Sequence, residues 1–135
     1  MSKNNLFESV YIEGKNINLR RPLAKDAITN WYGWFNDQEV ALFTGWWKPN
    51  TPEKQLKFLR YIENSQTDLI LIIESKVSLK PIGVVSLSKI NWVQKIADIA
   101  LIIGDKSSRN NPLLGLEAFT KMIRHGFLRL NLKNI

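Results

Sequence analysis

Cysteine is absent from the 135 residues. That excludes disulfide staples and thiolate chemistry, and it suits a reducing compartment. Histidine occurs once, at His125, where it reads as a solvated residue late in a helix. No His/Cys/Asp/Glu group has the spacing of a metal site, and there is no serine elbow, Walker loop or dinucleotide fingerprint. No apolar run approaches the ~20 residues that would span a bilayer. The start, Met1-Ser2-Lys3-Asn4-Asn5-Leu6-Phe7-Glu8, has no basic stretch followed by an apolar one, so the expectation is a soluble, cytoplasmic protein without a membrane partner. Repeats, low-complexity tracts and internal linkers are also missing.

What is present fits one domain, with five Trp and six Phe to give its core bulk. The formal charge of +7 and a pI near 9.8 imply an anionic partner. Nucleic acid, acidic protein, a membrane surface or a phosphorylated cofactor would each satisfy that. The cations are scattered and no helix carries a basic face, which argues against nucleic acid.

Along the chain, the first nine residues are polar and expected to fray. Val10 to Arg21 alternates as an edge-type strand stopped by Pro22. Ala27, Ile28, Trp31 and Phe35 have helical spacing. Phe43, Trp46 and Trp47 then cluster on a Gly- and Pro-broken segment, Ala41 to Asn50, which either caps the core or forms an aromatic wall for a ligand. Thr51-Pro52-Glu53 opens a second helix that buries Leu56, Leu59 and Ile62. Leu69–Ile73, Ile82–Ile90 and Ile96–Ile103 read as strands joined by short turns, an antiparallel meander. A final helix is expected over Leu114 to Arg129, with Phe119, Met122, Ile123, Phe127 and Leu130 as its apolar positions. Leu130 to Ile135 reads as the start of another strand.

The chain is organised around Ala97 to Ala118. An apolar strand breaks at Gly104 and passes through a loop carrying Lys106 and Arg109 into the last helix. The free N–H groups of that first helical turn, beside two cations, would attract a phosphate; an ordinary strand-to-helix connection is the alternative.

Ile82-Gly83-Val84-Val85-Ser86-Leu87, Ala97-Asp98-Ile99-Ala100-Leu101-Ile102-Ile103-Gly104 and Gly115-Leu116-Glu117-Ala118 together resemble the GNAT superfamily of N-acetyltransferases. Upstream, Leu19-Arg20-Arg21-Pro22-Leu23, Asp26-Ala27 and Trp34-Phe35-Asn36-Asp37-Gln38-Glu39-Val40 match the ribosomal-protein N-terminal acetyltransferase branch. The resemblance implies an α/β (α+β) fold whose mixed, mainly antiparallel sheet is flanked by helices. It further implies transfer of an acetyl group from acetyl-CoA to a primary amine on a protein N-terminus, an amino sugar or another small molecule.

It also implies site residues. The pantetheine arm would pair with the backbone of Leu101, Ile102 and Ile103. The pyrophosphate would rest on the loop of Arg109, Asn110, Asn111, Leu113, Leu114 and Gly115. Asp98, the sole acid within the apolar strand, would accept the amine proton, with burial raising its pKa; the alternative is a strand-end carboxylate paired with a nearby Lys. Trp34, Phe43, Trp46 and Trp47 would line the acceptor site. Glu117 matches a common acidic position of the family, or serves the helix dipole.

Two departures bear on activity. The family's glycine loop, Arg/Gln-x-x-Gly-x-Gly/Ala, is here Arg109-Asn110-Asn111-Pro112-Leu113-Leu114-Gly115, with Leu113 at the first glycine, Pro112 before it and Arg109 one residue early. The family's closing strands lie beyond Ile135, so residues 1–135 are expected to form a single, C-terminally shortened domain whose exposed sheet edge invites a homodimer. The alternatives are a catalytically impaired acyl-CoA binder and a basic nucleic-acid-binding module.

Overall fold

The computed structural model describes residues 9–135, apart from the side chain of Phe43. Residues 1–8 of the stretch expected to fray, and the acceptor contact expected of the Phe43 ring, lie outside the described residues.

Strand β1 (Ile12–Glu13) pairs with β2 (Ile17–Arg20) as a hairpin. The single strand expected over 10–21 is thus broken at Gly14, whose N–H donates to Ile17 O at 2.9 Å. A Cβ at Gly14 would collide with Ile17 O and the Glu117 carboxylate, so the turn needs glycine. Helix α1 follows as one continuous helical stretch over 24–34, with a π turn at Ala27–Trp31.

Helix α2 (Gln38–Thr44), unanticipated in the sequence, is capped by the Asp37 side chain and closed by Gly45 at φ 76°. Helix α3 (Pro52–Asn64) starts where expected, with the Thr51 side chain accepting from Lys54 N. Strands β3 (Leu69–Ser75), β4 (Pro81–Asn91) and β5 (Ile96–Ile103) complete the meander. A 3-10 turn (Ser107–Asn110) leads into α4 (Pro112–Leu128).

The sheet has the order β1-β2-β3-β4-β5 and every strand pair is antiparallel. After α4 the chain returns to the outer edge of β5, where Asn134 makes a parallel bridge to Ile96. The mainly antiparallel sheet with flanking helices is as expected.

Two apolar layers cover the sheet. On one side Ala118 and Met122 of α4 pack with Leu19, Ile73, Val85 and Leu87. On the other, Ala27, Trp31 and Trp34 of α1 and Leu59 of α3 pack with Ile72 and Val84. The buried stripe of α4 is Gly115, Ala118, Met122, His125 and Gly126, so His125 faces inward while Phe127 is exposed, the reverse of the sequence reading. Gly126 accounts for this: Ile135 lies over it closer than a Cβ would allow, with Leu132 packed beside it. The C-terminal segment therefore presses on the His125–Gly126 face.

An ion network ties α1 to the sheet. Arg20 is buried and donates through Nη1 and Nη2 to Asp26 at 2.8 and 3.0 Å, and through Nε to Glu74 at 3.0 Å. Burial alone would pull the Arg20 guanidinium down, but the two carboxylates hold it above its ordinary value. Asp26 also accepts from Leu23 N at 2.7 Å, closing the first turn of α1.

Candidate active site

The alternation of an antiparallel ladder decides which backbone groups of β5 are open. Gly104 N donates inward to Ile82 O at 2.9 Å, whereas Ala97 N donates outward to Asn134 O at 3.2 Å. Even-numbered residues of β5 therefore turn N–H and C=O toward β4, and odd-numbered ones turn them to the free edge. Leu101 and Ile103 fit the expected role of offering main-chain groups. Ile102 does not, because its backbone faces Val84 across the ladder; Ile99 takes its place. Beyond the Asn134 bridge, Ile99 and Leu101 each present a donor and an acceptor that no backbone group among the described residues takes up, about 6.6 Å apart along the strand. An extended, amide-bearing arm fits this edge as an added strand would.

Arg109 closes the far end of the edge. Its Nε donates to Ile103 O at 2.8 Å, and its Nη2 donates to Asp37 Oδ2 at 2.9 Å and to Gly104 O at 3.1 Å. Nη1 faces Glu39 Oε1 at 3.5 Å. The Arg109 hydrogen bond, reinforced by Glu39 N, holds the Asp37 carboxyl below its ordinary value. Arg109 is thus drawn into a clamp between the end of β5 and the start of α2, a correction to its expected place on a pyrophosphate. Nothing in the sequence marks Asp37 and Glu39 as its partners, since 72 positions separate Asp37 from Arg109.

The loop after β5 satisfies itself. Asp105 Oδ2 accepts from Ser107 Oγ, Ser108 N and Ser108 Oγ; these bonds, the Ser108 hydroxyl first, hold its carboxyl below its ordinary value despite partial desolvation. At the start of α4 the Asn111 side chain accepts from Leu113 N at 3.2 Å, Asn111 O accepts from Leu114 N at 3.2 Å, and Pro112 has no N–H. The helical turn expected to cradle a phosphate through Asn111, Leu113 and Leu114 has spent these donors on its own cap. Asn110 is exposed at the end of the 3-10 turn, and Lys106 is exposed before it. Gly115 is buried against β5, where a Cβ would come within 3.2 Å of Leu101; its small size serves close helix-to-strand packing.

Of the two readings of Asp98, the structure matches the carboxylate beside a lysine and not the buried base. Its side chain is 68 % exposed and stands 4.0 Å from Lys89 Nζ, so the buried carboxylate expected from the sequence is a solvent-facing one. Trp34 is only 8 % exposed and belongs to the core. Its ring lies so tightly against Gly104 that any side chain there would strike it, which removes Trp34 from an acceptor wall.

Trp46 and Trp47 are exposed, which goes against the core-capping reading of their segment. Trp46 meets Phe35 edge-on at 6.4 Å and Lys48 Nζ sits 4.7 Å over the Trp47 ring. Phe35, Asn50, Lys54, Gln55 and Phe58 complete a groove beside Trp46. Of these, Phe35 is named in the sequence only as a helical apolar position; its place just after α1 and the apolar position of Phe58 on α3 are the available signal for the groove.

Glu117 is neither free nor devoted to the helix dipole. It accepts from Asn16 N and Asn16 Nδ2, each at 3.0 Å, and so clasps the β1–β2 turn to α4. Desolvation pushes this carboxyl up, but the bonds from Asn16, Lys15 and Ile17 outweigh it and hold it below its ordinary value. Among the described residues no His/Cys/Asp/Glu group could hold a metal ion, and no helix is long and apolar enough to cross a membrane.

Comparison with known proteins agrees with the fold. The sequence profile of the acetyltransferase (GNAT) domain matches residues 16–135, while no curated protein matches the chain. Among solved structures, a ribosomal-protein-serine acetyltransferase from Vibrio cholerae is similar at 18 % identity and TM-score 0.71, over 90 % of this chain and 68 % of that one. The microcin C7 self-immunity acetyltransferase MccE, in complex with acetyl-CoA and AMP, is similar at 22 % identity and TM-score 0.69, over 88 % of this chain and 66 % of that one. A dodecameric spermidine N-acetyltransferase from Vibrio cholerae is similar at 16 % identity and TM-score 0.69, over 88 % and 67 %. The chain spans about two thirds of the length of each. At such identities the likeness to these structures carries the fold, and the profile, matched over nearly the whole chain, carries the family: this protein belongs to the GNAT acetyltransferases.

Proposed function

We propose that the chain is an acetyl-CoA-dependent N-acetyltransferase acting on a primary amine of a small molecule or peptide. The observation that carries this is the open edge of β5, where Ile99 and Leu101 offer main-chain donors and acceptors between the Asn134 bridge and the Arg109 clamp. These residues would hold the pantetheine arm by strand-like pairing. Ile103 adds its N–H, its carbonyl being taken by Arg109. With Asn111, Leu113 and Leu114 engaged in the helix cap, the side chains of Lys106 and Asn110 would meet the phosphates. Acetyl-CoA supplies the acetyl group already activated as a thioester. The protein's part is to orient it, which converts an encounter into an effectively intramolecular reaction, and to remove the amine proton. Asp98 would take that proton and, being exposed, release it to water, while the amine nitrogen bonds to the acetyl carbon, the carbon–sulfur bond breaks and CoA leaves as a thiolate that solvent protonates.

The self-capped loop favours a second reading, an acyl-CoA binder without turnover. An acetylation assay against peptide N-termini, amino sugars, polyamines and amino-bearing nucleotides separates the two. Turnover by the parent, reduced about 10²- to 10⁴-fold in Asp98→Asn, is the expected result for loss of a general base. Acetyl-CoA binding without turnover on any amine supports the binder, and unchanged turnover in Asp98→Asn removes that residue from the reaction.

A further inference from the structure

Phe35 and Trp46 form a wall shared by two surface grooves. One runs between the end of α1 and the start of α3, lined by Asn50, Lys54, Gln55 and Phe58. The other runs along α2 and the following loop past Ala41, Leu42, Trp47 and Lys48. Three features define what they would accept. The first is aromatic surface: Trp46, Trp47 and Phe58 are all exposed. The second is charge of one sign, because the ionisable side chains lining the two grooves are Lys54 and Lys48, and neither groove is lined by an acid among the described residues. The nearby carboxylates of Asp37 and Glu39 are turned to Arg109 instead.

The third feature is a built floor. Asn50 N donates to Asn36 Oδ1 at 2.7 Å, and Asn36 Nδ2 returns a bond to Asn50 O at 3.0 Å. Asn50 Nδ2 donates to Gln55 Oε1 at 2.7 Å and to Tyr32 O at 3.3 Å. Asn50 and Gln55 are buried, and this amide network ties the aromatic loop to α1 and α3. A groove so held is formed before its ligand arrives, which saves the ordering cost of binding.

We infer that these grooves take an aromatic molecule bearing an anionic group, of the kind a nucleoside monophosphate presents, with its ring against Trp46 and its anion at Lys54. Stacking on an exposed aromatic is tolerant of ring identity, while a compact ammonium fixes the charge. The same chemistry excludes a polyamine, whose ammonium groups would meet two lysines and no carboxylate. As the acceptor site this inference rests on the proposed acetyl transfer; as a binding site it does not.

The test is calorimetric titration of the full chain with AMP, without acetyl-CoA. Saturable binding is expected, weakened about tenfold by Trp46→Ala, the scale of one stacked base. Lys54→Ala should weaken it as well and flatten its salt dependence. Adenosine should bind more weakly than AMP, and spermidine not at all. Both substitutions lie on accessible surface, and a circular dichroism spectrum matching the parent shows that each variant is folded. Failure of AMP to bind overturns the inference, as does binding of spermidine. AMP binding untouched by either substitution places the nucleotide elsewhere and overturns it too. A separate acetyl-CoA titration keeps the two claims apart: AMP binding with no acetyl-CoA binding upholds the groove and contradicts acetyl transfer, whereas the converse contradicts the groove alone.

Discussion

Arg20 shows how a single side chain anchors the fold. Its guanidinium lies inside the protein between Asp26 and Glu74, and removing Asp26 keeps Glu74 as counter-ion but strips the buried Nη2 of its acceptor and takes away the closer of its two carboxylates. Asp26→Ala should therefore cost about 3–5 kcal/mol, the usual range for breaking a buried pair, and urea denaturation read by circular dichroism would show it; a loss below about 1 kcal/mol, typical of exposed pairs, would contradict the role given to this network. Both residues stood out in the sequence as part of the opening pattern, but their contact did not, because a charge in a short motif looks the same whether solvated or paired. The same limit explains Asp98 and Trp34. An acid within an apolar strand reads as buried until the sheet shows that its face is open, and a tryptophan near a loop reads as available until Gly104 is found beneath it. Arg109 was legible as a cation on the right loop; its clamp on Asp37 depends on chain segments that only the fold brings together.

Among the elements, β3, β4, β5 and α3 were readable because each carries a strong local signal: a continuous apolar run, or a Thr-Pro-Glu start. Helix α2 was not, since among its described side chains only Val40 is clearly buried, which gives too little periodicity; its true markers were Asp37 before it and Gly45 after it. In α4 the apolar stripe was assigned too far round the helix, because Gly115 and Gly126 mark the buried face by lacking a side chain. His125 sits on that face, with the Tyr11 hydroxyl 3.4 Å from its Nε2. Desolvation first, then the charge of Arg129, holds its pKa below the ordinary 6.5. A depressed histidine binds fewer protons folded than unfolded, so stability is complete above about pH 6.5 and falls as pH drops toward the folded value, levelling out below it. The urea midpoint should fall between pH 7.5 and 5.5. With no other histidine in the chain, His125→Phe should flatten that slope, and an undiminished slope would contradict the assignment.

At the scale of the whole molecule, the meander is a short-range topology, and the sequence reading recovered it from turn spacing alone. What it could not supply is which groups of β5 remain unspent, because that depends on the register with β4 and on where Asn134 returns. An open edge of this kind can pair with a second copy as well as with a ligand. We propose that the chain forms a homodimer through this C-terminal edge, and light scattering should give twice the chain mass, shifting toward the monomer as acetyl-CoA occupies the edge; a clean monomer at all concentrations would contradict it. The central claim is that the edge itself is the acetyl-CoA site. Calorimetric titration of acetyl-CoA into the parent and into Leu101→Pro tests it most directly, because proline removes an outward N–H while leaving the ladder to β4 intact. The account predicts micromolar binding by the parent and at least a tenfold loss in the folded variant; no binding by the parent, or equal binding by both, would contradict it.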